Sequence, residues 1–527
     1  MQLVVALFLA GLWLLSAGAD VARAATLTWV GDPLSSPDGT WDTATADWTG
    51  GSPPQVAWTN NDDAAFVSSA GTVLIGTPAP AVHSMAFTVA ASGFSLSGTN
   101  AITLAGSSPE IHVDAGGVTD IDAPLAGTAG MIKSGGGQLI LGGTNAYTGG
   151  TTLAAGALQL AGPLALPGGI GAGGTSNLTF AGTGSDTPVL ELASGDFTRN
   201  WGTAAADVQF TGSGGFAAVG ASRIVNIGGL SAQVTWGAVS FVLSGSTLVL
   251  GSPTADNTLN FQNPINLVSA VRTVLVNAGS GSVSVDAILS GALSGPFGGL
   301  IQTGDGTLEL AASNNSYTGG TTIGGGTLQI GDGTTTNGSL PGNVADYAAL
   351  VFADPGSVTY SGVISGYGSL GKSGSGTLTL SGSDTFTGGT RVSRGLLLAE
   401  NYSAIPAGST LAITASGSVV LGTPGAVEPL DLLPGDPPAG ALAGPLTSQP
   451  PGAGYPAEQG GAQATPEPGT MALLVAGLAC GSALWLRAKD KGGTAGGGGR
   501  CEAATMPTNA TRKRVPHRCP TVPGPHP

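Results

Sequence analysis

The chain has 527 residues, of which 91 are glycine, 9% are charged and 5% are aromatic, and its formal net charge is −15. A compact core built from large side chains does not arise from that composition, and helical domains are disfavoured, whereas a solenoid tolerates it because each coil packs only on its neighbours. The basic residues crowd at the two ends: without Arg23 and the eight beyond residue 486, the body from Ala25 to Trp485 keeps 7 basic against 28 acidic residues, about −21, which opposes nucleic acid as a partner.

Residues 1–24 read as a secretory signal, with an apolar run from Leu3 to Leu15 and a small-x-small cleavage site at Ala22-Arg23-Ala24. The run lacks a preceding Lys or Arg and is short for a membrane anchor. All three cysteines, Cys480, Cys501 and Cys519, lie near the other end, so the body carries neither disulfides nor thiol chemistry.

Residues 25–66 hold Trp29, Trp41, Trp48 and Trp58, half of the chain's 8 tryptophans. A solenoid needs atypical terminal coils to close its core, so a capping block is the expected role, with a carbohydrate-stacking platform as the alternative. Asn60-Asn61-Asp62-Asp63 is read as a polar turn, because it lacks the spaced, glycine-centred register of a calcium loop.

From residue 67 to 422 short alternating strands recur at intervals of about 8 to 12 residues, as in Ala101–Leu104, Asn177–Phe180, Ser246–Leu250 and Arg272–Asn277. One stretch occurs three times, at 133–160, 302–330 and 372–398. Each copy has a Gly-x-Gly pair (Gly135 and Gly137, Gly304 and Gly306, Gly374 and Gly376), then an alternating run such as Leu139-Ile140-Leu141. A polar bend with Tyr147, Tyr317 or Phe386 follows, and Thr-Gly-Gly-Thr then opens two further strands divided by glycine. Three strands turning through glycines make a coil that cannot bury its apolar stripe alone, so the copies must stack. At about 20 to 30 residues per coil, the body holds on the order of 12 to 18 coils, a rod roughly 60 to 85 Å long. An exposed terminal strand would favour self-association.

These segments resemble the autotransporter-associated β-strand repeat of bacterial surface proteins. The resemblance implies an all-β fold, a right-handed parallel β-helix. The chain beyond the repeats lacks the strand-rich barrel of an autotransporter, which sets that reading aside as a whole-protein description.

Residues 423–465 form a Pro/Gly/Ala-rich spacer, expected to be disordered. Pro466-Glu467-Pro468 follows, then an apolar run from Thr470 to Leu486 and the basic residues Arg487, Lys489 and Lys491. About 18 apolar residues suffice to span a bilayer as a helix, and the basic cluster holds the far end in the cytoplasm. Residues 466–491 resemble a PEP-CTERM sorting signal, which implies recognition of Pro466-Glu467-Pro468 by an exosortase-like processing enzyme in the inner membrane of a Gram-negative bacterium. Residues 492–527 form a basic low-complexity tail.

Catalytic signals are sparse. Gly366 to Ser373 spells the phosphate-loop pattern G-x-x-x-x-G-K-S, but a strand follows where that loop needs a helix, so the match is accidental. Only His83 and His112 lie in the body, without cysteine partners, and neither a zinc site nor a Ser/His/Asp triad is legible. Glu110, Asp114, Asp120 and Asp122, with Lys133 nearby, form the one local carboxylate cluster and carry the alternative reading, a polysaccharide lyase or hydrolase. The first reading is a non-enzymatic, exported surface or extracellular-matrix solenoid without cofactor, whose partners are matrix polysaccharide and the sorting enzyme.

Overall fold

A computed structural model describes residues 25–422, except 32–36, 51–54, 239–240, 402 and 408, together with the backbone of Leu484–Leu486. Ala22, Ala24, Pro466, Glu467, Pro468 and Arg487, and with them the signal, spacer, sorting motif and basic tail, lie outside the described residues. The expected apolar helix also lies outside them, save that Leu484–Leu486 is a short strand pairing antiparallel with Leu411–Ile413.

The described chain is an all-β parallel solenoid of about 16 turns. Its strands assemble into sheets of 14, 12, 11 and 3 strands. Between named strands the pairing is parallel except at two places, Thr28–Trp29 against Trp48–Thr49 and the Leu484–Leu486 contact. The one helical element among the described residues is a single 3-10 turn, Val89–Ala91. No described helix is long and apolar enough to cross a membrane.

Alternation sets the core. In strands such as Ala157–Leu160 every second residue is buried, and register stacks these residues coil upon coil. One such line runs Leu139, Leu158, Leu190, Phe216, Leu250 and Val276, each in register with the next and each fully buried. At the start of the solenoid the line ends in an aromatic knot. Trp29, Trp41, Trp48 and Trp58 are all buried, and the Trp48 ring centroid lies 5.0, 5.0 and 4.7 Å from those of Trp29, Trp41 and Trp58. Rings packed in this way present no open face to a sugar.

The first two repeats hold four strands each rather than the three expected, and in the third the last two run together as Thr390–Ala399. In the first they are Met131–Ser134, Gln138–Leu141, Thr151–Leu153 and Ala157–Leu160, and the second pair stacks on the first through Met131 beside Thr151 and Leu139 beside Leu158. The second repeat does the same, with Leu300 beside Thr321 and Leu308 beside Leu328. In the third, Leu370 pairs with Thr390 and Leu378 with Leu397. One repeat is therefore more than one coil: it supplies two strand–turn–strand units on successive coils, joined by the polar bend.

The extra strand escapes a reading by alternation because a polar residue occupies its inward position. Lys133 is fully buried, and its Nζ donates to the carbonyls of Ser134 (2.6 Å), Gly135 (2.8 Å) and Ala155 (3.2 Å). Gln302 is the counterpart in the second repeat, its Nε2 donating to Gly306 O (3.4 Å) and Thr327 O (2.9 Å). Lys372 is the third, bonded to the carbonyls of Gly374 and Arg394. Each side chain ties its own turn to the turn on the next coil. Burial pulls the Lys133 ammonium down to about 7 and the Lys372 ammonium to about 8, against the opposing charges of Glu110 and Asp354. The turns themselves demand glycine: Gly135 has φ +69° and Gly304 φ +91°, and an added Cβ would lie 2.2 Å from Val113 O and 2.0 Å from Val276 O respectively.

The polar bend is equally specific. Asn145 accepts from Leu125 N on the preceding coil (2.7 Å) and donates to Ala165 O on the following one (2.7 Å). Asn315 likewise accepts from Leu293 N (2.7 Å) and donates to Ser339 O (2.8 Å). Two residues on, the buried hydroxyls of Tyr147 and Tyr317 meet Thr151 and Thr321 Oγ1, both at 2.7 Å. The third repeat departs at both positions. Asp384 accepts from Ile364 N (2.7 Å) but leaves Oδ2 buried and unpartnered, and Phe386 leaves Thr390 Oγ1 in the same state.

Burial pushes the Asp384 carboxyl up to about 6. Because its folded value lies above the ordinary carboxylate value, its contribution to stability is fully present below about pH 3.9 and is lost as pH rises through about 6. Asp384→Asn restores the amide donor found at Asn145 and Asn315, so it is expected to stabilise the protein at pH 7.5 by about 1 kcal/mol. Thermal unfolding followed by circular dichroism should show a smaller gain at pH 4.5, and an equal gain at both pH values would refute the assignment.

Candidate functional site

The four carboxylates singled out in the sequence do not converge. Glu110 and Asp114 belong to the strand Glu110–Val113 and its end, in the 11-stranded sheet, whereas Asp120 lies on Val118–Ile121 in the 14-stranded sheet. Asp122 is exposed just beyond that strand and raises the Asp120 carboxyl together with the larger effect of burial.

What converges on Glu110 instead is a histidine and a serine. Glu110 and His112 are two apart on one strand and so share its outer face; parallel register sets Ser134 beside His112. His112 Nδ1 lies 2.9 Å from Ser134 Oγ and 3.8 Å from Glu110 Oε1, its Nε2 lies 3.1 Å from Asp114 Oδ1, and Ser134 Oγ donates to Glu110 Oε1. Asp114 Oδ2 also accepts from Val89 N (3.3 Å). Sequence reading missed the set because Ser134 is distant in the chain from the acids; the coil period linking residues 112 and 134 was the signal that pointed to it.

The arrangement has the members of a nucleophilic triad but the opposite polarity. The Glu110 carboxylate, then Asp114, raise the His112 pKa above its ordinary value against the effect of burial, and His112 in turn lowers that of Glu110, helped by Ser134. In the imidazolium form, which these carboxylates favour, both nitrogens donate and neither can take a proton from Ser134, whose own proton is directed at Glu110. Lys133, next to Ser134, points to the opposite side, into the core. The network is a self-neutralised surface tie between two coils.

The remaining candidates are likewise occupied. His83 Nδ1 lies 2.8 Å from Asp63 Oδ1, which also accepts from Ser84 Oγ (2.6 Å). Asn60 Oδ1 accepts from Ala81 N (2.8 Å) and Asp62 Oδ1 from Ala25 N (3.0 Å), so this acidic turn serves neighbouring backbone. Among the described residues, no group of three or more His, Cys, Asp or Glu side chains is placed to hold a metal ion. The phosphate-loop lookalike spans the strand Ser369–Lys372, with Lys372 buried in the core rather than free for a phosphate. A surface hollow of about 480 Å³ beside Glu110–Val113 is a shallow groove that Ser107, Ser108, Thr128, Ile132 and Thr152 help to line.

Comparison with known proteins finds likeness in parts of the solenoid. The sequence profile of the passenger-associated-transport-repeat family matches residues 131–160, 300–330 and 370–399, so each match takes in the strand that carries Lys133, Gln302 or Lys372. The chain is also similar to the adhesin BmaC autotransporter of Brucella suis biovar 1 (strain 1330), with 36% identity over 192 residues, 34% of this chain. The matched region spans 5% of that relative's length. No solved structure matches the chain.

In the Glu110–His112–Asp114–Ser134 network, Glu110→Gln removes the larger of the two acceptors that raise the His112 pKa. The His112 ring-proton titration, followed by NMR, is expected to move down towards about 6.5. A midpoint that stays where it was would show that Glu110 does not set the state of the imidazole.

Proposed function

We propose that this protein is an exported, non-enzymatic β-solenoid, displayed at the surface of a Gram-negative bacterium or released into its extracellular matrix, where it makes adhesive or structural contacts with matrix polysaccharide. The observation that carries this reading is the outer face of the rod. Two sets of its titratable groups, Glu110–His112–Asp114–Ser134 and Asp63–His83, are bonded among themselves, and it also presents uncharged ladders such as Thr152, Thr179 and Gln209 in register. Such a surface offers many weak polar contacts over a long span and no activated group. The similarity to a stretch of an adhesin supports the same reading.

The direct test is co-sedimentation of the full chain with the exopolysaccharide of the producing bacterium while polymer length is followed. Binding without shortening is the expected outcome. Shortening that disappears when Glu110 and Asp114 are neutralised would replace this reading with that of a polysaccharide-active enzyme.

Delivery is assigned to Pro466-Glu467-Pro468 with the apolar run and Arg487 behind it: the signal holds the chain transiently in the inner membrane, and an exosortase-like enzyme releases it. Glu467→Ala is expected to leave an uncleaved, membrane-bound form of higher mass on immunoblots of fractionated cells. Unchanged release of the variant would count against the assignment.

A further inference from the structure

Aromatic side chains in this protein are almost all interior. Tyr147, Tyr317 and Tyr360 are buried, and their hydroxyls are used within the coils: those of Tyr147 and Tyr317 as described, and that of Tyr360 to donate to Gly342 O at 2.7 Å. Two tyrosines break the rule together. Tyr347 is 42% exposed and Tyr367 68% exposed, and their ring centroids lie 5.1 Å apart at an interplanar angle of 47°. They occupy the same corner of successive coils, since Asp346 O accepts from Gly368 N (2.9 Å) and Ala348 O accepts from Ser369 N (3.0 Å). Among the described residues neither hydroxyl has a partner.

The surroundings of the pair are open in a directed way. Tyr347 N donates to Ile323 O (2.9 Å), which sets the triple glycine Gly324, Gly325 and Gly326 on the coil before it. On the coil after Tyr367, Thr387 N donates to Gly366 O (3.0 Å) and Gly388 N to Gly368 O (3.1 Å). Along the rod the corner therefore reads glycine floor, ring, ring, threonine and glycine. The neighbouring Asp346 is fully buried inside the coil, so its carboxyl is not presented at the corner surface. Phe297 is also exposed, at 77%, but has no aromatic neighbour.

Exposing two rings side by side costs hydration and contributes nothing to the core, whose aromatic positions are filled elsewhere. An adjacent, tilted pair of amphipathic rings, each with a free hydroxyl and with glycines on the coil before them, suits a long ligand with alternating apolar faces and hydroxyl rims. Sugar rings in a chain have that form. The body charge of about −21 disfavours an anionic polymer at close range. We propose that Tyr347 and Tyr367 form a stacking platform for a linear, uncharged polysaccharide that runs along the rod over Gly324–Gly326. The assignment deepens the matrix-binding reading above and rests on it.

The test uses the full chain and a fixed set of polymers: insoluble cellulose by sedimentation, then glucomannan and dextran by affinity electrophoresis, with alginate as the anionic control. The wild-type chain is expected to bind at least one uncharged polymer in preference to alginate. Y347A/Y367A should weaken that binding about tenfold, the loss expected from truncating a contact that dominates a binding site. Y347F/Y367F, which keeps the rings, should bind within about twofold of wild type, and both variants should melt at the wild-type temperature because neither ring is part of the core. Full binding by the alanine variant would overturn the platform and leave the matrix reading standing on another face. A wild-type chain that binds none of the uncharged polymers overturns the platform, and absence of binding to the native exopolysaccharide as well removes the matrix reading. Sedimentation velocity on the same samples covers the other occupant: a wild-type dimer that the alanine variant abolishes would make this corner a contact between copies of the chain, and would likewise overturn the proposal.

Discussion

The fold depends on keeping successive coils in register at turns where the backbone comes too close for side chains. At Gly135 and Gly304 the carbonyls of the neighbouring coil occupy the space a Cβ would need. Crowded turns leave carbonyl oxygens facing inward, away from water, and a buried acceptor without a donor is expensive. Lys133, Gln302 and Lys372 answer that problem from inside the core. Lysine is the better fit of the two residue types, since it brings three donors and no acceptor, whereas Gln302 leaves its own Oε1 buried without a partner. Burial makes the lysine charge costly, and it pulls the Lys133 ammonium down to about 7.

This also explains what could be read in advance. Solenoid class, the three repeats and the absence of helical domains followed from period and composition, and the coil number fell within the expected range. The first strand of each repeat did not, because Lys133 and Lys372 put a charged letter where alternation demands an apolar one. Their burial depends on carbonyls that only the stacked neighbour supplies. The same limit hid the Glu110–His112–Asp114–Ser134 network: the acids are adjacent in sequence, while Ser134 arrives through register one coil later. Asp120 and Asp122, near in sequence to Glu110, turn onto another sheet. Linear proximity across a glycine corner is a poor guide to which face a side chain shares.

Function is bounded by the same geometry. A parallel solenoid repeats whatever it places on a face, and outward ladders such as Thr152, Thr179 and Gln209 present hydroxyls and amides. Local breaks in such ladders include two histidine–carboxylate sets near the start and a pair of exposed tyrosines towards the far end. Specific recognition has to come from such breaks in the pattern, because the pattern itself presents the same chemistry along its length.

The three repeats are not of equal quality. In the first, Lys133, Asn145, Tyr147 and Thr151 are all satisfied. In the last, Asp384 and Thr390 each bury an oxygen with no partner, as do Asp346 and Asp354 on the coils before them. The tryptophan knot carries the same kind of cost, since the indole nitrogens of Trp41 and Trp48 are buried without a partner. In a stack held by nearest-neighbour contacts such defects stay local, so each weakens its own coil and the two beside it rather than the rod as a whole.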